Sequence, residues 1–142
     1  MLFLYHLIVR AIVRRAYADL SAGKTEGVAR QFREDAVFRC SGTHALGGEL
    51  RGRKAIGEWF ACLQRLFPGL KLTPLAIVVN GAPWATTVAT RFRVDAMLPG
   101  NEPYENEGMQ FIRLCWGSIV EDRLYEDTAL LREALERIAQ AA

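Results

Sequence analysis

The sequence is poor in the residues that build most metal and disulfide sites. Its three cysteines, Cys40, Cys62 and Cys115, are odd in number and show no Cys-x-x-Cys spacing, which argues against a disulfide framework and against a cysteine zinc site. Thiols of this kind stay reduced in a cytosol, and a cytoplasmic protein is the expectation. The two histidines, His6 and His44, have no acidic neighbour at ligand spacing, so neither a metal nor another cofactor is expected. Charge of one sign is also scarce. The formal net charge is +2, and the densest basic group, Arg10, Arg14 and Arg15, reads as a solvated helix face rather than a phosphate-binding stripe, so nucleic acid is not an expected partner. Long apolar runs are missing too. The opening "MLFLYHLIV" has no basic stretch before it and falls far short of the roughly twenty residues of a membrane span. It reads as the start of a buried helix, and no membrane is expected as a partner.

What is present is globular. Of the 142 residues, 51% are hydrophobic and 24% charged, with no linker and no repeat, which predicts a single domain over 1–142. Leu4, Leu7, Ile8, Ala11, Ile12 and Ala16 recur at helical spacing, and Gly23 stops that first helix. Thr25 can cap a short second helix through about residue 32, "DAVFRCSG" reads as a strand, and the glycine-rich "THALGGELRG" reads as loop. A third helix follows over "RKAIGEWFACLQRLF", with Ala55, Ile56, Trp59, Phe60, Leu63 and Leu66 on one stripe. Strand-like runs near 70–80, 84–98, 104–116 and 118–126 are separated by the turn signals "NGAP", "PGNEP" and "WG". Asp127 stands where it can cap a closing helix whose stripe is Leu130, Leu131, Ala134, Leu135 and Ile138. This order predicts an α+β fold, with helices on one face of a mostly antiparallel sheet that curls into an apolar cone.

One strand carries alternating charge. In "RFRVDAMLPG" the side chains of Arg91, Arg93 and Asp95 share one face, and Phe92, Val94 and Ala96 share the other. Two readings are open: a solvated ion pair on the outside of the sheet, or a pair lining a pocket, where Asp95 serves as acid or base and Arg93 holds it in place.

The segments "ADLSAGKTEGVARQFREDAVF", "LRGRKAIGEWFACLQRLFPGLKL" and "GSIVEDRLYEDTALLREAL", in this order, resemble the nuclear transport factor 2-like superfamily and within it the SnoaL-like group. The resemblance implies a cone-shaped pocket and a homodimer formed through the sheet. It also implies one of several chemistries, because the superfamily holds ketosteroid isomerases, polyketide cyclases, limonene epoxide hydrolases, dehydratases and binding proteins. The Arg-Val-Asp strand looks most like that of limonene epoxide hydrolases, and the likeness turns Arg93 and Asp95 toward the pocket with Asp95 as general acid. The second aspartate of that family aligns with Leu124, and its tyrosine and asparagine align with Phe38 and Cys40, so the water-activating half is absent. The cyclase aspartate also aligns with Leu124, the cyclase histidine aligns with Gln110, and the ketosteroid isomerase base aligns with Cys40. The expected site is therefore Asp95, Arg93 and His44 for catalysis, with Phe38, Cys40, Trp59, Gln110, Leu124 and Tyr17 lining a cavity for a small apolar ligand with one polar group. Isomerisation, dehydration or cyclisation fit this set better than hydrolysis; a non-catalytic binding or assembly module is the alternative.

Overall fold

The computed structural model describes residues 1–142. Helices α1 (Leu2–Ser21) and α2 (Thr25–Ala29) lead into strand β1 (Phe32–Cys40) and the short β2 (Gly48–Arg51). Helix α3 (Arg53–Leu66) follows, then the meander β3 (Lys71–Ala82), β4 (Ala85–Leu98), β5 (Glu102–Cys115) and β6 (Ser118–Glu126), and α4 (Thr128–Ala141) closes the chain. The strands form one sheet in the order β2-β1-β6-β5-β4-β3, antiparallel except where β1 runs parallel to β6. This is the expected α+β architecture, with a curved, open sheet. One strand differs from expectation: Gly48–Arg51, read as loop, pairs with β1 from Val37↔Arg51 to Cys40↔Gly48. The three glycines of "THALGGELRG" hid a short edge strand.

The meander follows from strict alternation. Along β4 the even-numbered residues from Thr86 to Leu98 are all buried, and the odd ones are exposed or half-buried. The buried set, with Phe32, Phe38, Ile56 and Phe60 from the other elements, forms one core between sheet and helices. Helix α3 buries Ile56 and Phe60 and packs Trp59, Leu63 and Leu66 partly, as its stripe predicts. Asp127 caps α4, its carboxylate accepting from the N–H groups of Ala129 and Leu130.

Helix α1 departs from the sequence expectation. Its buried residues are Val9, Val13, Tyr17 and Leu20, whereas Leu4, Leu7, Ile8 and Ile12 are exposed. The helix is apolar on two sides, so periodicity alone does not say which side meets the sheet. Polar side chains decide it: His6 Nε2 bonds the carbonyl of Gly81, Arg10 Nε donates to that of Ile77, and Ser21 Oγ donates to that of Leu72. These carbonyls lie along β3, the free edge of the sheet, so α1 both covers the edge and presents Tyr17 to the interior.

Candidate functional site: two adjoining cavities and a buried carboxyl

Two apolar cavities lie between the helices and the concave face of the sheet. The first, of about 50 Å³, is lined by Phe38, Cys40, Trp59, Gln110, Leu124 and Tyr17 among others, which is the full set of expected ligand-binding residues. The second, of about 120 Å³, lies under α1 between Ile8, Ile12 and Val88 and reaches Asp122. Tyr17, Leu20, Phe60 and Gln110 line both and form the partition between them.

Polar groups on this partition are joined in a chain. The Tyr17 hydroxyl donates to Gln110 Oε1 at 2.6 Å, and Gln110 Nε2 donates to the two carboxylate oxygens of Asp122 at 2.9 and 3.1 Å. Asp122 is 1% exposed, and no cation stands against it. Burial therefore pushes its carboxyl up to about 7, although the hydrogen bond from Gln110 opposes the shift. Burial, and then the negative charge of Asp122, raises Tyr17 well above an ordinary phenol, so Tyr17 stays a donor. Beside Gln110 in the ladder, Thr90 Oγ1 is buried with no hydrogen-bond partner.

A second carboxyl, Glu126, borders the first cavity and is likewise pushed up to about 7 by burial alone. It has room because Gly108 lies opposite it on β5. A Cβ at 108 would stand 2.8 Å from Glu126 Cγ and 2.7 Å from the Phe92 ring. Around the first cavity, Phe38 meets Trp59 at 4.6 Å and Trp59 meets Phe60 at 5.2 Å between ring centroids. Trp59 Nε1 is used up in donating to the Leu46 carbonyl.

The expected catalytic trio is not brought together here. Phe92 and Val94 face the cavity, so the alternation of β4 sends Arg93 and Asp95 to the opposite, outer face. There they are 46% and 38% exposed, and Arg93 pairs with both Asp95 and Glu105 at 2.9 Å. The solvated ion pair is what the structure contains, and the pocket reading of this pair is overturned. His44 does not line either cavity. Its Nδ1 accepts from the Leu46 N–H at 3.2 Å, which leaves Nε2 to carry the proton donated to the Ser41 carbonyl at 2.8 Å. Both nitrogens are spent on holding the β1–β2 loop. Cys40 does line the cavity, but burial first, then Glu126 and Asp122, pushes its thiol up to about 12, so it is neither a base nor a nucleophile near neutral pH.

Sequence reasoning passed over Asp122 and Glu126. The signal was available in "EDRLYED": Asp122, Leu124 and Glu126 alternate along β6 and share a face, so an inward Leu124 places two carboxyls inward with it.

The model of the SnoaL-like domain family matches residues 13–122, well over half of the chain. The chain belongs to the SnoaL-like family. Solved structures share the fold of this SnoaL-like domain. Bal32a, from a soil-derived mobile gene cassette, superposes with a TM-score of 0.75 at 22% identity over 87% of this chain and 92% of that one. PrhC of Penicillium brasilianum gives 0.76 at 18% identity, covering 92% and 87%. TerC, co-crystallised with polyporic acid, gives 0.74 at 18% identity, covering 90% and 97%. At such identities the likeness shows the fold of the SnoaL-like domain alone. No curated protein matches the chain in sequence.

Proposed function

We propose that this SnoaL-like domain binds a small, mostly apolar molecule between the helices and the sheet and moves a proton on it with Asp122. The observation that carries the reading is a carboxyl 1% exposed, without a counter-ion, held at about 7 beside an apolar cavity. A group titrating there is poised to accept a proton as carboxylate or to give one as acid at neutral pH. Gln110 holds both oxygens in place, and Tyr17 in turn holds the Gln110 amide; these two are positioning residues. Isomerisation, dehydration or cyclisation of a carbonyl compound suits one acid-base group better than hydrolysis does, because nothing in the cavities pairs with Asp122 to activate water. That TerC was crystallised with polyporic acid supports a small organic ligand for this fold.

A second reading, a binding module without chemistry, draws on the apolar character of Phe38, Cys40 and Leu124 in the first cavity. The two differ in a measurable way. Incubation with a panel of small apolar ketones in heavy water, followed by proton NMR, is expected to show loss of α-hydrogen signal with the wild type and none with Asp122→Asn. Binding of the panel without exchange, together with an Asp122 carboxyl titrating near its ordinary 3.8, would favour the binding module.

The same reading includes a homodimer. Val78, Met109, Phe111 and Tyr125 stand exposed on the outer face of the sheet, among the ion pairs of Arg91 and Arg93, and these support pairing of two copies there. Sedimentation equilibrium tests it: a mass of one chain at micromolar concentration excludes the dimer. No helix is long and apolar enough to cross a membrane.

A further inference from the structure

The first cavity combines three features that together select a ligand charge. Its wall is aromatic, with Phe38, Trp59, Phe60, Phe67, Phe92 and Tyr104 turned to it. One carboxyl, Glu126, borders it, and neither hydrogen bond nor counter-ion holds that carboxyl. No lysine, arginine or histidine lines it. We propose that this cavity is a subsite for a small alkylammonium group, with Glu126 as counter-ion and the surrounding rings as a cation–π cage. The proposal deepens the reading of a small-molecule pocket by naming the charge and size of what enters it.

The argument is one of elimination by electrostatics. An anion meets Glu126 and finds no positive group to offset the repulsion. A neutral apolar guest fills the space but leaves the half-buried carboxylate unpaired among apolar groups, which disfavours its charged form. An ammonium supplies the missing charge to Glu126 and presents its polarised methyl groups to the negative faces of the rings, the mode by which aromatic cages hold quaternary amines. Size agrees: about 50 Å³ accommodates roughly four water-sized groups, at the ~10–15 Å³ that each requires. That is the scale of a trimethylammonium or tert-butylammonium head. Gly108 keeps the approach to Glu126 clear, since any side chain there would collide with Glu126 and with Phe92.

The charges around Glu126 are known. Asp122 lies on the same strand, Tyr17 approaches from α1, Cys40 from β1 and Tyr104 from β5, and Asp127 caps α4 nearby. Tyr17, Cys40 and Tyr104 are all raised and neutral at physiological pH, so the pH dependence of ammonium binding belongs to the two carboxyls.

The test is calorimetric titration of the full chain with tert-butylammonium, with tert-butanol as the neutral match in size, and with pivalate as the anion. The ammonium is expected to bind at pH 8.5, tert-butanol at least tenfold more weakly, and pivalate not at all. With Glu126 at about 7, affinity for the ammonium should rise about thirtyfold between pH 5.5 and 8.5. Glu126→Gln, which keeps the shape, is expected to abolish both the preference for ammonium over tert-butanol and the Glu126 share of the pH dependence. Equal binding of tert-butanol and tert-butylammonium at pH 8.5, or an unchanged preference in Glu126→Gln, overturns the proposal. Absence of hydrogen exchange on ketones bears on Asp122 chemistry instead and leaves the ammonium titration to be judged by itself.

Discussion

A single amide, that of Gln110, donates to both oxygens of Asp122 and accepts the Tyr17 phenol at 2.6 Å. It joins α1, β5 and β6 through the wall shared by the two cavities. The buried carboxylate has no other donor, so everything that sets its proton affinity is apolar surroundings on one side and this amide on the other.

Asp122 makes stability depend on pH with a definite sign. Its folded value, about 7, lies above the ordinary 3.8, so the unfolded chain releases the proton first. Below 3.8 both states hold the proton and there is no penalty; stability falls as pH rises toward 7, and the full penalty remains above that. Glu126 adds a contribution of the same sign. Asp122→Asn keeps an acceptor for Gln110 and removes the buried charge, and it is expected to stabilise the fold at pH 8 by on the order of 4 kcal/mol. Urea denaturation at pH 4 and pH 8 measures this; a variant less stable than wild type at pH 8 would contradict it.

Gln110→Met should act in the opposite direction. It leaves the Tyr17 hydroxyl and the Asp122 carboxyl buried without partners, which costs about 2–4 kcal/mol, and it removes the one interaction that holds the Asp122 carboxyl down. Carboxyl carbon NMR of the variant should find Asp122 titrating higher than in wild type.

For Arg93→Gln the expected effect is small. The pair with Asp95 is on the outer face and solvent-screened, so the midpoint of urea unfolding should barely move, and affinity for cavity ligands should not change. A loss of ligand binding in this variant would restore the pair to the site.

Cys40 should be the slowest thiol. Its sulfur is buried and its acidity suppressed to about 12, whereas Cys62 and Cys115 are half-buried. Mass-spectrometric mapping after brief alkylation of the native protein at pH 8 should find label on the latter two before Cys40.

Gly108→Ala tests the packing under Glu126. The added methyl would sit 2.5 Å from the Tyr125 carbonyl oxygen as well as against Phe92 and Glu126, which calls for a backbone shift and a loss of about 1–3 kcal/mol. Thermal unfolding of the variant reads the loss directly.

Much of the architecture was legible in the residues themselves. Alternation along β4 and β5, with Gly and Pro between the runs, requires a meander, and the stripes of α3 and α4 require helices with one buried face, because those periods are local properties of a backbone. The same local logic established that Arg93 and Asp95 share a face and that Asp122, Leu124 and Glu126 share another. It could not say which face lies under the helices. That depends on which side of the sheet α1 packs, and α1 is apolar on two sides, so the choice falls to its bonds with the edge of β3. The phase of β6 was hidden as well, because the ladder with β5 shifts register between Arg113 and Leu114. Gln110 and Asp122 are neighbours on the β5–β6 hairpin, but only where the sheet packs on α1 does the distant Tyr17 meet them. The apolar space that forms around them, rather than any residue's own chemistry, raises the carboxyl to the range where it can work.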